Sequence, residues 1–385
     1  MNKKNCTEAN GPEVICPEIR PLPYRSTDSI PFPDLGVLFN SQKIFGLVNL
    51  LQTLLHFSMN TESTISLFSV DRLDIKSEIL SGLLLEGGNI YSGELGIPSY
   101  IFNTAVHSKA SSIKKIRQLR GMDRVKVINP INRFNQSVLL DILKTFANPG
   151  SYLLPYSNTN RHTASSLAGK YGSFFLLPEK SIYHPHAIIV EPFENNDSYY
   201  TVSVGGNQDQ LKRMDLDYYI KQVTRGKTYV AYQNVGMLKW QNKPLEARVY
   251  AQKGASGYWS VTALVAKLEC FSASSIYAGS CAPLSSVLTE LLLENSGKAI
   301  AKLIEYTINS CIYLDHYLSD LGNLTFDFIL DQSGKPYLMY IGGSEQNEYL
   351  YASDITLWCR YIENSALYLD YIRKTKALVP APEEL

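Results

Sequence analysis

The chain has 385 residues, 45% hydrophobic and 19% charged, which is room for two or three packed units with real cores. Lys+Arg and Asp+Glu both number 36, so there is no net charge to draw in nucleic acid or an anionic membrane. The basic run Lys114-Lys115-Ile116-Arg117 reads as a solvated helix face. Cys6, Cys16, Cys270, Cys281, Cys311 and Cys359 form no C-x-x-C pair, which argues against a disulfide scaffold or a structural zinc. It fits a reducing, intracellular compartment. The N-terminus has basic residues but no apolar run behind them, so no secretory signal is read there. No stretch approaches the roughly 20 apolar residues of a membrane span. The 26 tyrosines follow no repeat and read as half-buried positions, with an interaction surface as the second reading.

Residues 1–33 carry Pro12, Pro17, Pro21, Pro23, Pro31 and Pro33, and predict an extended arm. Leu35 to Phe39 is a short apolar strand. Ser41 is placed to cap a helix with Ile44, Phe45, Val48, Leu51, Leu54 and Leu55 on one face. Thr64 to Phe68, Ser99 to Phe102 and Val125 to Ile128 are further strands, with helices at 111–120 and 136–147. Such alternation predicts a small parallel-sheet α/β domain over 34–155. Beyond Arg161 the texture becomes α+β, and this second domain runs over 156–375, before a tail at 376–385. Strands are expected at Phe174–Leu177, His186–Val190, Tyr199–Val204, Tyr229–Tyr232, Leu245–Gln252 and Tyr258–Lys267. Helices are expected over Met214–Arg225, through most of Ser285–Leu318, and over Thr356–Lys374. Leu324–Asp331 and Pro336–Ile341 predict a hairpin.

That hairpin carries the most informative chemistry. If Asp331 faces Pro336, then Asp327 faces Tyr340, on one side of the sheet. A magnesium site for phosphate chemistry wants hard oxygen ligands on that side. Asp327 can supply one, Tyr340 is a neutral phenol, and Gly342 has no side chain. In Pro244-Leu-Glu-Ala-Arg248, strand alternation puts Glu246 and Arg248 on one face. An acid for sugar hydroxyls beside an arginine for phosphate suits a nucleotide. A cross-strand ion pair on a solvated sheet is the simpler account of the same two residues. His184-Pro-His186 reads as a turn in preference to a metal site, and Cys270 and Cys281 read as small core or loop residues.

The order and spacing of several segments resemble the YheC/YheD family of endospore-associated ATP-grasp proteins, from about Leu35 to Tyr351. The segments are Gly36–Asn40, Pro98–Asn103, Asn129–Asn132, Leu153–Pro155, Leu167–Pro178, Tyr229–Gln233, Glu246–Val249, Gly257–Trp259 and Asp327–Gly334. The resemblance implies a pre-ATP-grasp substrate domain followed by a two-lobed ATP-grasp domain, with ATP between the lobes. It also implies a nucleotide hinge near Gln233, ribose at Glu246, phosphates and substrate at Arg248, and magnesium at Asp327. The chain departs from the pattern at several points. Leu177 stands at the lysine that reaches the phosphates, and the phosphate loop 179–186 has Pro185 and no glycine. Tyr340 and Gly342 stand at the next two metal ligands, and Glu345 at the proline after them.

Phosphoryl transfer rests on positioning and charge neutralisation. Losing lysine, loop and metal pair together predicts a degenerate, non-catalytic member: a binding or assembly protein that uses no cofactor. By the resemblance it associates with spore-coat or other protein partners, in the mother-cell cytoplasm or on the spore. One alternative is an ATP- and magnesium-dependent carboxylate–amine ligase that uses Arg248, with Asp331, Glu345, Glu348, Lys180 or Lys170 replacing the missing groups. Another is a metal-independent nucleotide sensor that holds ATP through Glu246 and the hinge near Gln233.

Overall fold

The computed structural model describes residues 17–22, 30–39, 46–107, 109–146, 152–159, 162–179, 187–194, 196–204, 207–268, 281–344 and 347–377. The first sheet contains β1 (Ile19–Pro21), β2 (Leu35–Phe39), β3 (Ile65–Asp74), β4 (Ile79–Glu86), β5 (Asn89–Gly96), β6 (Tyr100–Asn103) and β7 (Lys126–Ile128). Their order is β1-β5-β4-β3-β2-β6-β7. Helices α1 (Leu47–Thr61), α2 (Ala110–Arg120) and α3 (Gln136–Phe146) belong to the same half of the chain. As the alternation predicts, β3, β2, β6 and β7 run parallel. Helix α1 buries Leu50, Leu51, Leu54 and Phe57; of the face its spacing marks, Leu51 and Leu54 are buried and Val48 and Leu55 half-buried. Ser41, Ile44 and Phe45 lie outside the described residues.

The sheet is mixed rather than wholly parallel, because β3, β4 and β5 form an antiparallel meander. The β4–β5 turn is Gly87-Gly88, with φ of 53° and 79°. Two successive positive φ angles are what a two-residue hairpin needs, and glycine adopts them at no steric cost. Within the proline-rich arm, residues 1–16 and 23–29 lie outside the described residues. Ile19–Pro21 is extended and pairs parallel with β5.

The second sheet contains β8 (Tyr156–Asn158), β9 (Phe174–Pro178), β10 (Ile188–Phe193), β11 (Asn196–Val204), β12 (Asn207–Lys212) and β13 (Tyr229–Gln233), with helices α4 (Ala164–Tyr171) and α5 (Leu216–Thr224). Its order, β12-β11-β10-β9-β13-β8, is antiparallel throughout. Alternation along β9 sends Phe174 and Leu176 into a core with α4 and α5. Phe175 and Leu177 go the other way, into a core shared with the third sheet.

That third sheet contains β14 (Lys239–Trp240), β15 (Lys243–Lys253), β16 (Trp259–Leu268), β17 (Cys281–Pro283), β18 (Asn323–Leu330) and β19 (Pro336–Gly342). Its order is β17-β16-β15-β18-β19, with β14 on β15. Helices α6 (Leu284–Leu292), α7 (Ser296–Tyr317), α8 (Glu348–Ser353) and α9 (Ile355–Ala377) complete the chain. A 3-10 turn at Leu293–Asn295 divides the helical stretch expected over 285–318. No helix among the described residues is long and apolar enough to cross a membrane.

The first and third sheets are joined by buried amides. Asn129, at φ 53°, accepts at Oδ1 from the backbone N–H groups of Gly322 and Asn323, and its Nδ2 donates to Asn323 O at 2.7 Å. Asn tolerates this left-handed conformation better than most residues. Asn132 accepts from Ser344 N–H and donates to the carbonyls of Asn103 and Ala105. A Cβ on Gly343 would come within 2.2 Å of Asn132 Oδ1, so the approach requires glycine.

His107 belongs to this junction, its Nε2–H donating to Asn103 Oδ1 at 3.3 Å. Burial lowers its pKa below the ordinary 6.5, against the weaker pull of Asp71. A lowered folded-state pKa means the unfolded chain binds the proton more tightly. Its contribution is therefore complete above about pH 6.5 and is lost as pH falls through the folded value. Urea midpoints should drop as pH falls below about 6.5, and His107→Gln should flatten that part of the profile. An unchanged slope would exclude His107 as its source.

Candidate functional site

Strand β15 lies between β16 and β18 and is buried from Leu245 to Lys253. Leu245, Ala247, Val249 and Ala251 enter the core that includes α6 and α7 residues. Glu246 and Arg248 therefore point to the opposite face. The register sets Lys267 of β16 opposite Glu246, and Asp327 of β18 opposite Arg248. One face thus carries acids and bases in alternation. Their exposures are 2% for Glu246, 0% for Arg248, 3% for Lys267 and 0% for Asp327.

Arg248 Nε donates to Asp327 Oδ1 at 2.6 Å, and Nη2 to Oδ2 at 2.5 Å. This is the two-pronged geometry that a guanidinium and a carboxylate share. Lys267 Nζ donates to Glu246 Oε1 and lies 3.5 Å from Asp327 Oδ2. The Tyr349 ring of α8 covers both cations, 5.3 Å from Arg248 Cζ and 4.8 Å from Lys267 Nζ. Burial opposes charge on both bases. The carboxylates outweigh it, Asp327 foremost, and hold the Arg248 guanidinium well above its ordinary pKa and the Lys267 ammonium above its own. Burial pushes the Tyr349 phenol up. Arg248 Nη1, Asn347 Oδ1 and Glu348 Oε2 are buried without hydrogen bonds. The four charges are an internally neutral set, the condition on which buried charge is tolerable.

The described residues around Asp327 do not fit a magnesium ion. Both oxygens of Asp327 are committed to Arg248. Tyr340, which does face Asp327, is a buried phenol, and Gly342 faces Thr325. The expected register is met by another route: Leu330 faces Pro336, and a bulge after Asp327 takes up one residue of β19. Among the described residues no three His, Cys, Asp or Glu side chains gather to hold a metal. Asp331 does not join the set. Burial works to raise its pKa, but hydrogen bonds from Ser333, Lys335 and Tyr337 hold it below the usual value, as a turn-closing acid. Glu348 lies in α8, and Lys170 donates to Ser157 from α4. Lys180, His184, Pro185, His186, Cys270 and Glu345 lie outside the described residues.

The side of β9 and β13 that shares a core with the third sheet shows Phe175, Leu177, Val230 and Tyr232, at 0%, 4%, 1% and 1% exposure. Tyr232 stacks on Phe175 and donates its hydroxyl to Met339 O on β19. None of these residues offers a cation to a phosphate. Gln233 ends β13, half-buried, with its N–H on Pro155 O. It lies in the second sheet, whereas the third sheet brings Glu246, Arg248 and Asp327 together. Sequence reasoning missed Lys267 and Tyr349. An isolated lysine at the end of the apolar run Ala263-Leu-Val-Ala266 was the available signal. A charge in a buried strand needs a partner.

A family model described as "YheC/D like ATP-grasp" matches residues 124–355. The "Endospore coat-associated protein YheD" of Bacillus subtilis strain 168 is 26% identical over 113 residues, 29% of this chain. The match spans a quarter of that relative's length (25%). Among solved structures, D-cycloserine synthetase DcsG aligns at TM-score 0.51 and 9% identity, over 89% of this chain and 99% of its own. D-alanyl-alanine synthetase A from Vibrio cholerae aligns at 0.50 and 13%, over 91% and 99%. The D-alanine-D-alanine ligase from Coxiella burnetii aligns at 0.50 and 7%, over 90% and 97%. At these identities the likeness establishes the fold, an α/β and α+β arrangement of ATP-grasp type, and nothing finer.

Proposed function

The chain belongs to the YheC/D-like ATP-grasp family, and on that premise we propose that it is a binding or assembly protein on a ligase frame, without magnesium–ATP chemistry of its own. The observation that carries this is Asp327: wholly buried, both oxygens held by Arg248, and faced by a phenol where a second carboxylate is needed. ATP-grasp ligases with this fold would need ATP and magnesium; among the described residues no three metal-ligating side chains gather, and Leu177 stands where the resemblance implies a phosphate lysine. The sealed side of β9 and β13 supports the same reading. The relative named as endospore coat-associated makes coat proteins the proposed partners, and the mother cell or spore surface the proposed location.

Thermal unfolding with and without ATP and magnesium tests this. A ligand at about 100 times its dissociation constant adds about 2.7 kcal/mol of stability. The expected result is no shift at millimolar ATP with either nucleotide alone or magnesium present. A magnesium-dependent shift would sink the proposal in favour of a ligase. A shift that ignores magnesium would replace it with a nucleotide sensor.

A further inference from the structure

We propose that two copies of this chain associate by exchanging Tyr258, each phenol seating in the other copy's pocket between β16 and α7. The proposal is independent of whether the chain handles magnesium–ATP. Tyr258 follows the turn that joins β15 to β16 and is 79% exposed, the most exposed aromatic among the described residues. The turn is held on three sides. Gly257 N–H donates to Gly254 O at 3.0 Å, and Tyr258 N–H donates to Ser256 Oγ at 3.3 Å. Gly257 sits at φ 73°, and a Cβ there would come within 2.4 Å of the Tyr371 ring, so the turn packs on α9 only with glycine at this position. A ring with a polar tip, carried on a fixed turn, loses little freedom when it is covered.

Beside the turn lies a pocket of about 310 Å³, lined by Tyr258 itself, Trp259, Ile308 and Ile312, with the Lys253–Asp315 ion pair as its charged part. Lys253 Nζ lies 2.6 Å from Asp315 Oδ2, and Trp259 Nε1–H donates to the same oxygen at 3.2 Å. No described residue donates a hydrogen bond to Oδ1, and the Asp315 side chain is 30% exposed. The ion pair is already neutral. The pocket therefore selects an uncharged donor on an apolar body over a cation, and a tyrosine side chain is such a group. Tyr258 stands on the rim of the pocket it matches, so a twofold axis beside the turn carries each ring to the other copy's Asp315. Contacts of this kind use the same patch on both partners. Ile304, Ile308 and Ile312 recur every four residues on one side of α7, with Ile304 and Ile312 37% and 45% exposed. That row continues the apolar surface past the pocket, where a second copy covers it and a free phenol would not.

Sedimentation equilibrium of the full chain tests this. The expected result is a monomer–dimer equilibrium with a dissociation constant of about 10⁻⁵–10⁻⁴ M, as suits a small, transient interface. Tyr258→Ala and Ile312→Glu should each weaken it at least about tenfold, with unchanged melting temperatures because both side chains are exposed. Tyr258→Phe keeps the ring, loses the donor and should weaken association about threefold to tenfold. It also keeps the test open should either of the other variants melt early. The deciding arm mixes Tyr258→Ala with Ile312→Glu. A mixed pair retains one intact contact, the Tyr258 of the second chain in the pocket of the first, so the equimolar mixture should associate more tightly than either variant alone. A wild-type chain that stays monomeric to about 1 mM, ten times the weakest expected dissociation constant, overturns the proposal. So does a dimer that the single variants leave unchanged, which would use another surface, and so does a mixture no tighter than its components, which would mean contact without exchange.

Discussion

Replacing Arg248 by Met is expected to destabilise the fold by about 3–5 kcal/mol, the cost of stranding a buried partner charge. The stranded group is Asp327, 0% exposed, whose oxygens at 2.6 and 2.5 Å would lose both guanidinium prongs. Lys267 lies 3.5 Å from Asp327 Oδ2 but is already bonded to Glu246, so it compensates only in part. Asp327→Asn should cost a similar amount, because the guanidinium then lacks its counter-charge. The double variant Arg248→Met with Asp327→Leu removes the whole pair and should cost less than either single change, since apolar side chains of similar volume replace a buried ion pair at little or no loss. Urea unfolding of the three variants measures this coupling. An open metal or phosphate site would behave differently: the single changes would alter ligand binding and leave stability within about 1 kcal/mol of wild type, as exposed pairs do. That outcome would show that the pair is accessible and would reopen Asp327 as a ligand.

The sequence exposed the frame better than the site. The apolar runs at Leu35–Phe39 and Phe174–Leu177, and the 324–341 hairpin, are strands where periodicity placed them. Helix α1 buries Leu51 and Leu54 of the face that its spacing named, and adds Leu50 and Phe57. The β4–β5 hairpin interrupts the βα alternation, and Gly87-Gly88 at its turn is the local signal for that antiparallel insertion. At the site, the pairing of Asp327 with Tyr340 was legible from hairpin arithmetic, but the bulge that maintains it was not. Glu246 and Arg248 share a face, as alternation along one strand required. Their partners came from register across β16 and β18, a non-local property that no single strand encodes. Burial was the other missing quantity. Two charges in a strand look like a solvated ion pair until helix α8 and its Tyr349 are seen to cover them.

Leu177→Lys gives the second large effect, and it tests the sealed side of the second sheet directly. Leu177 is 4% exposed among Phe175, Val230 and Tyr232. An ammonium there has no carboxylate supplied by those neighbours, so the charged form is strongly disfavoured and the amine's pKa falls. A loss of about 3–5 kcal/mol at neutral pH is expected, the size associated with an unpaired buried charge. The conservative Leu177→Met should cost less than about 1.5 kcal/mol. The pH dependence separates charge from shape. A lysine whose folded pKa is depressed destabilises least above its unfolded value, about 10.4, and increasingly as pH falls toward the folded value, by about 1.4 kcal/mol per pH unit. The gap between Leu177→Lys and Leu177→Met should therefore narrow as pH is raised toward 10. If the two variants were equally stable at every pH, the side would be open to water. A lysine at that position would then be free to meet a phosphate, and ATP binding by Leu177→Lys would become the measurement that decides whether a nucleotide cleft persists between the second and third sheets.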